Sequence, residues 1–357
     1  MTLSKSSVTS LVSTLKDPET GRPMGELDQI LNVQVEGDSI AVTLGLTSHS
    51  APIWDEVTAK AKESLTNAFP QASKIEVHRQ LLHRQAEKLG TIGITVKSVI
   101  AVGSGKGGVG KSTIAACIAL GLKRAGCKVG LMDADVYGPS IPHLLGLEGR
   151  PQVIDNTFDP IRKDGMPVMS MGFLVPPGEA VVWRGPMLHG AITQFLRQTN
   201  WGDLDYLIID MPPGTGDIAL TLSQMLPLTG AVVVCTPQDV ALLDAVKAIA
   251  MFRKVNIPIL GMVENMSGFV CPDNGKRYDI FGSGGARTKA AELDVPFLGD
   301  VPIYMDVRQR GDDGLTDKNY DDPQTAVVYQ KICATLVRNL AQKAAIAPPM
   351  AALPVLG

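Results

Sequence analysis

The chain has 357 residues, 45% of them apolar and 19% charged, with 36 glycines and few aromatics. That length holds two domains of ~150 residues, each able to bury its own core, and the balance excludes a disordered or fibrous chain. A formal charge of −3 and a pI near 6.0 supply no basic field, so nucleic acid is not expected as a partner.

No window approaches the ~18 apolar residues of a membrane span, and residues 1–15 lack the apolar centre of a leader. No membrane partner is expected, and the expected compartment is the cytoplasm. The five cysteines, Cys117, Cys127, Cys235, Cys271 and Cys333, have no disulfide-framework spacing. Four sit in apolar helical or strand contexts and read as small buried hydrophobes. Cys271 differs, being followed by Pro, Asp, Asn and Gly.

In chain order, residues 1–80 read as a small α/β unit: a helix at 7–15, alternating strands at 30–35 and 39–46, a helix at 54–69 and a strand at 74–77. A polar stretch then marks a linker, placed at 81–96. Over 97–344 apolar runs alternate with helical segments: strands at 99–102, 129–132, 206–209, 231–235 and 259–263, helices at 111–124 and 241–254, and a last helix from about 322 to 342. Such alternation predicts an α/β domain with a mostly parallel sheet flanked by helices. The proline-containing tail, 345–357, is expected to be flexible.

Gly105-Lys106-Gly107-Gly108-Val109-Gly110-Lys111-Ser112, followed by Thr113, connects the strand ending at Val102 to a helix. Glycines there let backbone N–H groups curl around phosphate oxygens, and the helix N-terminus adds positive potential. Lys111 then reaches the β and γ phosphates of ATP and Ser112 holds Mg2+. Lys106 is an extra lysine, either a solvated surface cation or a group projected toward a nucleotide in a facing subunit.

Three carboxylates fall at strand ends, where open α/β sheets bind ligands. Asp210 suits an indirect magnesium ligand, and one of Asp133 and Asp135 suits orientation of the attacking water; helix capping is the plainer role for either. Gly214-Thr215-Gly216-Asp217 is either a plain turn or a loop that registers a γ-phosphate. Asn265 offers the donor and acceptor an adenine edge needs.

These segments resemble the Mrp/ApbC family of ATP-binding iron-sulfur cluster carriers, within the MinD/ParA group of phosphate-loop ATPases that carry the extra lysine. The resemblance is carried by the loop 105–112, Asp133-Ala-Asp-Val-Tyr-Gly-Pro-Ser-Ile-Pro142, Ile209-Asp-Met-Pro-Pro-Gly-Thr-Gly-Asp217, Thr236-Pro-Gln-Asp239 and Val263-Glu-Asn-Met-Ser267. The N-terminal unit is similar to the small domain found in iron-sulfur assembly proteins, through Asp17-Pro18-Glu19 and residues 44–52.

The resemblance implies a homodimer sandwiching ATP, with Lys106 as signature lysine, Lys111 and Ser112 on phosphate and magnesium, Asp135 or Asp133 near the attacking water, and Asn265 on adenine. Slow hydrolysis would then gate the passage of a cluster from scaffold proteins to apo iron-sulfur proteins. The family usually carries Cys-Pro-x-Cys after its Val-Glu-Asn-Met-Ser strand, and two such pairs across a two-fold axis would bridge a [4Fe-4S] cluster.

Here the segment is Cys271-Pro272-Asp273-Asn274, so one thiolate per chain is missing, and Ala51 stands before Pro52 where related domains frequently have cysteine. An Asn amide is a poor soft ligand. The expected function is an ATP-hydrolysing carrier that binds clusters, using Cys271 from two copies, and transfers them to apoproteins; the alternative is a MinD/ParA-like ATPase switch or adaptor that has lost cluster binding.

Overall fold

The computed structural model describes residues 2–174, 185–214 and 216–346. Contacts group the chain into two units: Met1–Arg84 with Val337–Gly357, and Gln85–Leu336. In the first, α1 (Lys5–Ser13) and α2 (Trp54–Ala68) accompany β1 (Ile30–Glu36), β2 (Ser39–Leu46) and β3 (Lys74–Leu81). The strands lie in the order β1-β2-β3, antiparallel then parallel.

Period-2 alternation in β2 sends Ile40, Val42 and Leu44 into the core, against Val8 and Val12 of α1 and Ala61 and Leu65 of α2. Each such aliphatic side chain contributes about 1.5–3 kcal/mol when fully buried. Ser4 starts α1 with a reciprocal capping box to Ser7.

Asp17 is buried in this unit, and its carboxylate accepts from Arg84 Nη1 (2.8 Å), Gln29 Nε2 (3.0 Å) and Thr20 Oγ1 (2.8 Å). Burial opposes its charge, but the Arg84 guanidinium and these donors outweigh that and hold its pKa below the ordinary value. Arg84 also reaches Glu19 at 3.4 Å, and the N-terminal segment of the unit ends at this residue.

The second unit contains β4 (Lys88–Leu89), β5 (Ile94–Gly103), α3 (Lys111–Arg124), β6 (Val129–Asp133), α4 (Ile141–Leu145), β7 (Gln152–Ile154), β8 (Thr157–Asp159), β9 (Ile161–Lys163), β10 (Met166–Ser170), α5 (Gly185–Gln198), β11 (Leu204–Asp210), α6 (Gly216–Met225), β12 (Gly230–Cys235), α7 (Asp239–Lys254), β13 (Ile259–Val270), β14 (Arg277–Tyr278), α8 (Gly285–Glu292), β15 (Phe297–Ile303) and α9 (Met305–Asp312). Helix α10 (Pro323–Ile346) begins in this unit, and its residues from Val337 onward group with the first.

The central sheet runs β14-β13-β12-β5-β11-β6-β10-β9, with β15 against β13 and β4 against β5. Its strands from β13 to β10 are parallel, as is β15, and β14, β9 and β4 are antiparallel additions. Val99, Ile100, Ala101 and Val102 are all fully buried, which is why β5 reads as an unbroken apolar run and not as an alternation.

The segment 81–96, expected as a linker, holds the end of β3, the short strand β4 and the start of β5. Strands β10 and β15 were not anticipated: Pro167 interrupts the first, and Gly299 and Pro302 the second, residues that lower strand propensity. Cys117, Cys127, Cys235 and Cys333 are buried, and burial pushes the Cys117, Cys235 and Cys333 thiols up to about 12. Residues 347–357 of the expected tail lie outside the described residues.

Candidate nucleotide site

Strands β5, β11 and β6 end side by side, with Asp210 in register with Val102 on one flank and Asp133 on the other. The chain leaves β5 through the loop 104–110 and enters α3 with Gly110 in the left-handed conformation (φ +79°) and no side-chain cap on the helix. The first N–H groups of α3 are thus left for an anion. A Cβ at Gly110 would lie 2.2 Å from Asn265 Nδ2, and one at Gly105 would lie 2.1 Å from the Asp244 carbonyl of α7. Those two glycines seat the loop between β13 and α7.

The loop opens on a cavity of about 310 Å3 lined by Ser104, Lys106, Gly107, Gly108, Gly110, Lys111, Ser112, Thr113, Asp135, Gly138, Ser140, His143, Leu144 and Pro213. Ser104 Oγ donates to the Lys106 carbonyl at 2.8 Å and so closes the start of the loop. Lys106 is half-buried. The contributions of α4, His143 and Leu144, were not singled out from the sequence.

Lys111 is buried and folded down onto the carboxylates: its Nζ donates to Asp210 Oδ1 at 2.6 Å and lies 3.6 Å from Asp135 Oδ2 and 3.2 Å from Ser112 Oγ. Asp210 Oδ2 is buried without a hydrogen-bond partner. Burial raises the Asp210 pKa even against the Lys111 charge. That orphaned oxygen beside the Ser112 hydroxyl is a donor set of hard oxygens, which suits Mg2+.

The two remaining aspartates differ in surroundings. Asp133 is fully buried and accepts from Asp135 N (3.1 Å), Ile141 N (3.2 Å) and Ser170 Oγ (2.9 Å). Burial, then the nearby Asp210 carboxylate, push it up to about 8. Asp135 lines the cavity, its Oδ1 accepting from Tyr137 N and Gly138 N (both 3.3 Å) while Oδ2 faces Lys111.

Asn265 is buried beneath the loop, Nδ2 donating to the Val109 carbonyl at 2.9 Å, and neither it nor Val109 lines the cavity. Gly214 N donates to the Ser104 carbonyl at 3.3 Å; Thr215 and the Asp217 side chain lie outside the described residues.

Cys271 stands apart from this cavity, at the start of the turn joining β13 to β14. Its N–H donates to the Lys276 carbonyl (2.9 Å) and its carbonyl accepts from Gly275 N (2.8 Å). Asn274 Oδ1 accepts from Lys276 N at 2.9 Å, closing the turn. Cys271 is half-buried, unlike the other four cysteines. No group of three or more His, Cys, Asp or Glu side chains suited to a metal ion occurs among the described residues.

A parallel sheet with a glycine loop, an invading lysine and strand-end carboxylates defines a P-loop ATPase, and the comparisons agree. Residues 95–337 match the family described as NUBPL iron-transfer P-loop NTPase, and residues 5–78 match the family described as iron-sulfur cluster assembly protein. The chain belongs to the Mrp/ApbC-like iron-sulfur carrier ATPases of the MinD/ParA group, with an N-terminal domain of iron-sulfur assembly type.

It is 47% identical over 306 residues to the iron-sulfur cluster carrier protein of Deinococcus radiodurans, covering 85% of this chain and 86% of that one. It is 45% identical over 289 residues to the iron-sulfur cluster transfer protein NUBPL of Dictyostelium discoideum, covering 80% and 89%. Among solved structures it is similar to a nucleotide-binding protein of Archaeoglobus fulgidus in complex with ADP, at a TM-score of 0.57 and 41% identity over 65% of this chain and 91% of that one. No helix among the described residues is long and apolar enough to cross a membrane.

Proposed function

We propose that this chain is an ATP-hydrolysing switch of the iron-sulfur carrier family that acts on client or scaffold proteins without a cluster site of its own. One observation carries this reading: Asn274 occupies the place of the second thiolate, and its carboxamide is committed to closing the Cys271 turn. Apo iron-sulfur proteins and cluster scaffolds are the partners that family membership supports, and a homodimer is the form in which Lys106 would reach a facing nucleotide.

In the ATPase step the triphosphate draws Lys111 from Asp210 and Asp135 toward its β and γ oxygens. Ser112 and Asp210 would hold Mg2+, which neutralises phosphate charge when bound. Asp135, released from Lys111, orients a water toward the γ phosphorus and accepts its proton; the water's oxygen bonds that phosphorus as the β–γ bridging P–O bond breaks, and ADP and phosphate leave. Asp133 keeps the Asp135 loop in place and the α3 N-terminus cradles the phosphates.

A second reading, a carrier in which two copies of Cys271 share a cluster as cargo, is favoured by the name and 47% identity of the Deinococcus relative. Anaerobic treatment with iron and sulfide separates the two. The switch reading expects colourless, iron-free wild-type protein with intact ATPase activity, and a visible chromophore only in Asn274→Cys. Stoichiometric iron and sulfide in the wild type, lost in Cys271→Ser, would replace it with the carrier.

A further inference from the structure

Strand β13 passes from the nucleotide loop to the Cys271 turn, and it bends between them. Glu264 is fully buried, and its carboxylate accepts from Gly284 N and Ala286 N at the start of α8 (both 2.7 Å) and from Ser267 Oγ (2.6 Å). This residue is pinned. The next, Asn265, holds the Val109 carbonyl of the loop.

Beyond it the chain turns through two left-handed residues, Met266 (φ +58°) and Gly268 (φ +73°), and the pairing with β15 shifts register between Asn265 and Phe269. A bulky non-glycine residue in that conformation is strained, and strain of this kind persists where the surroundings enforce it. Past the bend, Phe269 and Val270 pair with Tyr278 and Arg277 of β14. Arg277 straps the bend to the hairpin, its Nη2 donating to the Ser267 carbonyl at 3.2 Å.

We propose that this bend is a lever carrying the state of the nucleotide loop to the Cys271 hairpin: Glu264 is the fulcrum, Asn265 the input and Arg277 the coupling to the output. A nucleotide that engages the Asn265 amide, or that re-forms the loop around phosphate, changes its bond to Val109. With Glu264 fixed to α8, the strand has no slack on its N-terminal side, so the displacement passes through Met266 and Gly268 into the hairpin. Packed elements answer such a small shift by switching between arrangements. The proposal rests on nucleotide occupying the loop and is independent of whether any cluster binds.

Cys271 supplies the readout, because the other four cysteines are buried. The full chain is alkylated with N-ethylmaleimide and followed by intact mass, without nucleotide, with Mg-ADP and with a non-hydrolysable Mg-ATP analogue, while calorimetry records binding. The expected result is a change of about fivefold or more in the Cys271 rate at saturating analogue, the lower end of typical coupling between sites. Arg277→Ala, outside the nucleotide cavity, is expected to bind as tightly as the wild type and to lose the response; Asn265→Ala is expected to blunt it.

An unchanged rate at saturation, or a full response in Arg277→Ala, overturns the lever. A response that grows with protein concentration also overturns it, because shielding by a second copy then explains the change. Absence of any binding heat would instead remove the nucleotide reading and the lever with it.

Discussion

Asp133 and Asp135 are two positions apart, and different hydrogen bonds reach them, which is the basis of the separate roles proposed for them. Asp133 is occupied by Ile141 N and Ser170 Oγ, groups 8 and 37 residues away in the chain, while Asp135 keeps an oxygen directed at Lys111. Asp135→Asn is therefore expected to cut ATP turnover by about 10²–10⁴-fold, the range for losing a group that handles the attacking water's proton, with nucleotide affinity retained; phosphate-release kinetics beside calorimetry check both halves. Undiminished turnover would assign the water to another group. The loop between β5 and α3 was legible in the sequence because left-handed backbone at Gly108 and Gly110 requires glycine. The choice between the two aspartates was not, since it depends on where strand β10 places Ser170, and β10 itself gave a weak strand signal around Pro167.

At the scale of elements, the N-terminal unit depends on a long-range ion pair at its boundary. Arg84 holds Asp17 in a largely buried site, and removing one partner of such a pair typically costs about 3 kcal/mol. The folded-state pKa of Asp17 is below its ordinary value, so the contribution is fully present above the unfolded-state pKa and is lost as pH falls through the folded one. Arg84→Met should therefore lower the unit's denaturant midpoint strongly at pH 7 and progressively less toward acid, below the ordinary Asp value of about 3.9. An equal loss at every pH would show that Arg84 acts by packing alone. The strands and helices of this unit were readable from alternation and 3.6-residue periodicity, as were β5, β6, β11 and β12. The pairing of Arg84 with Asp17 was not, because nothing local connects residues 67 positions apart. Helix α4 escaped for a different reason: five residues are too few to show a period.

For the whole molecule, the informative feature is that α10 serves two units. Its residues from Val337 onward group with the N-terminal unit, where Arg338 donates to both Glu56 oxygens at 2.7 and 2.6 Å. The sequence could not reveal this division, because helical periodicity continues through it. A chain ending at Leu336 is expected to lose protection of the β2 amides against hydrogen exchange by about tenfold, roughly 1.4 kcal/mol, while β5 keeps its own. Equal protection of β2 with and without the segment would mean that the helix end adds nothing to that unit.

Shared ownership of α10 also sets an order for biosynthesis. The unit that leaves the ribosome first lacks part of its structure until the residues from Val337 onward have been made. Between Arg84 and Val337 lie the residues of the other unit, which at ~5–20 residues per second take roughly 13–50 s to translate. Throughout that interval the nascent N-terminal unit lacks the ion pair between Arg338 and Glu56, and that contribution arrives only once α10 has been made.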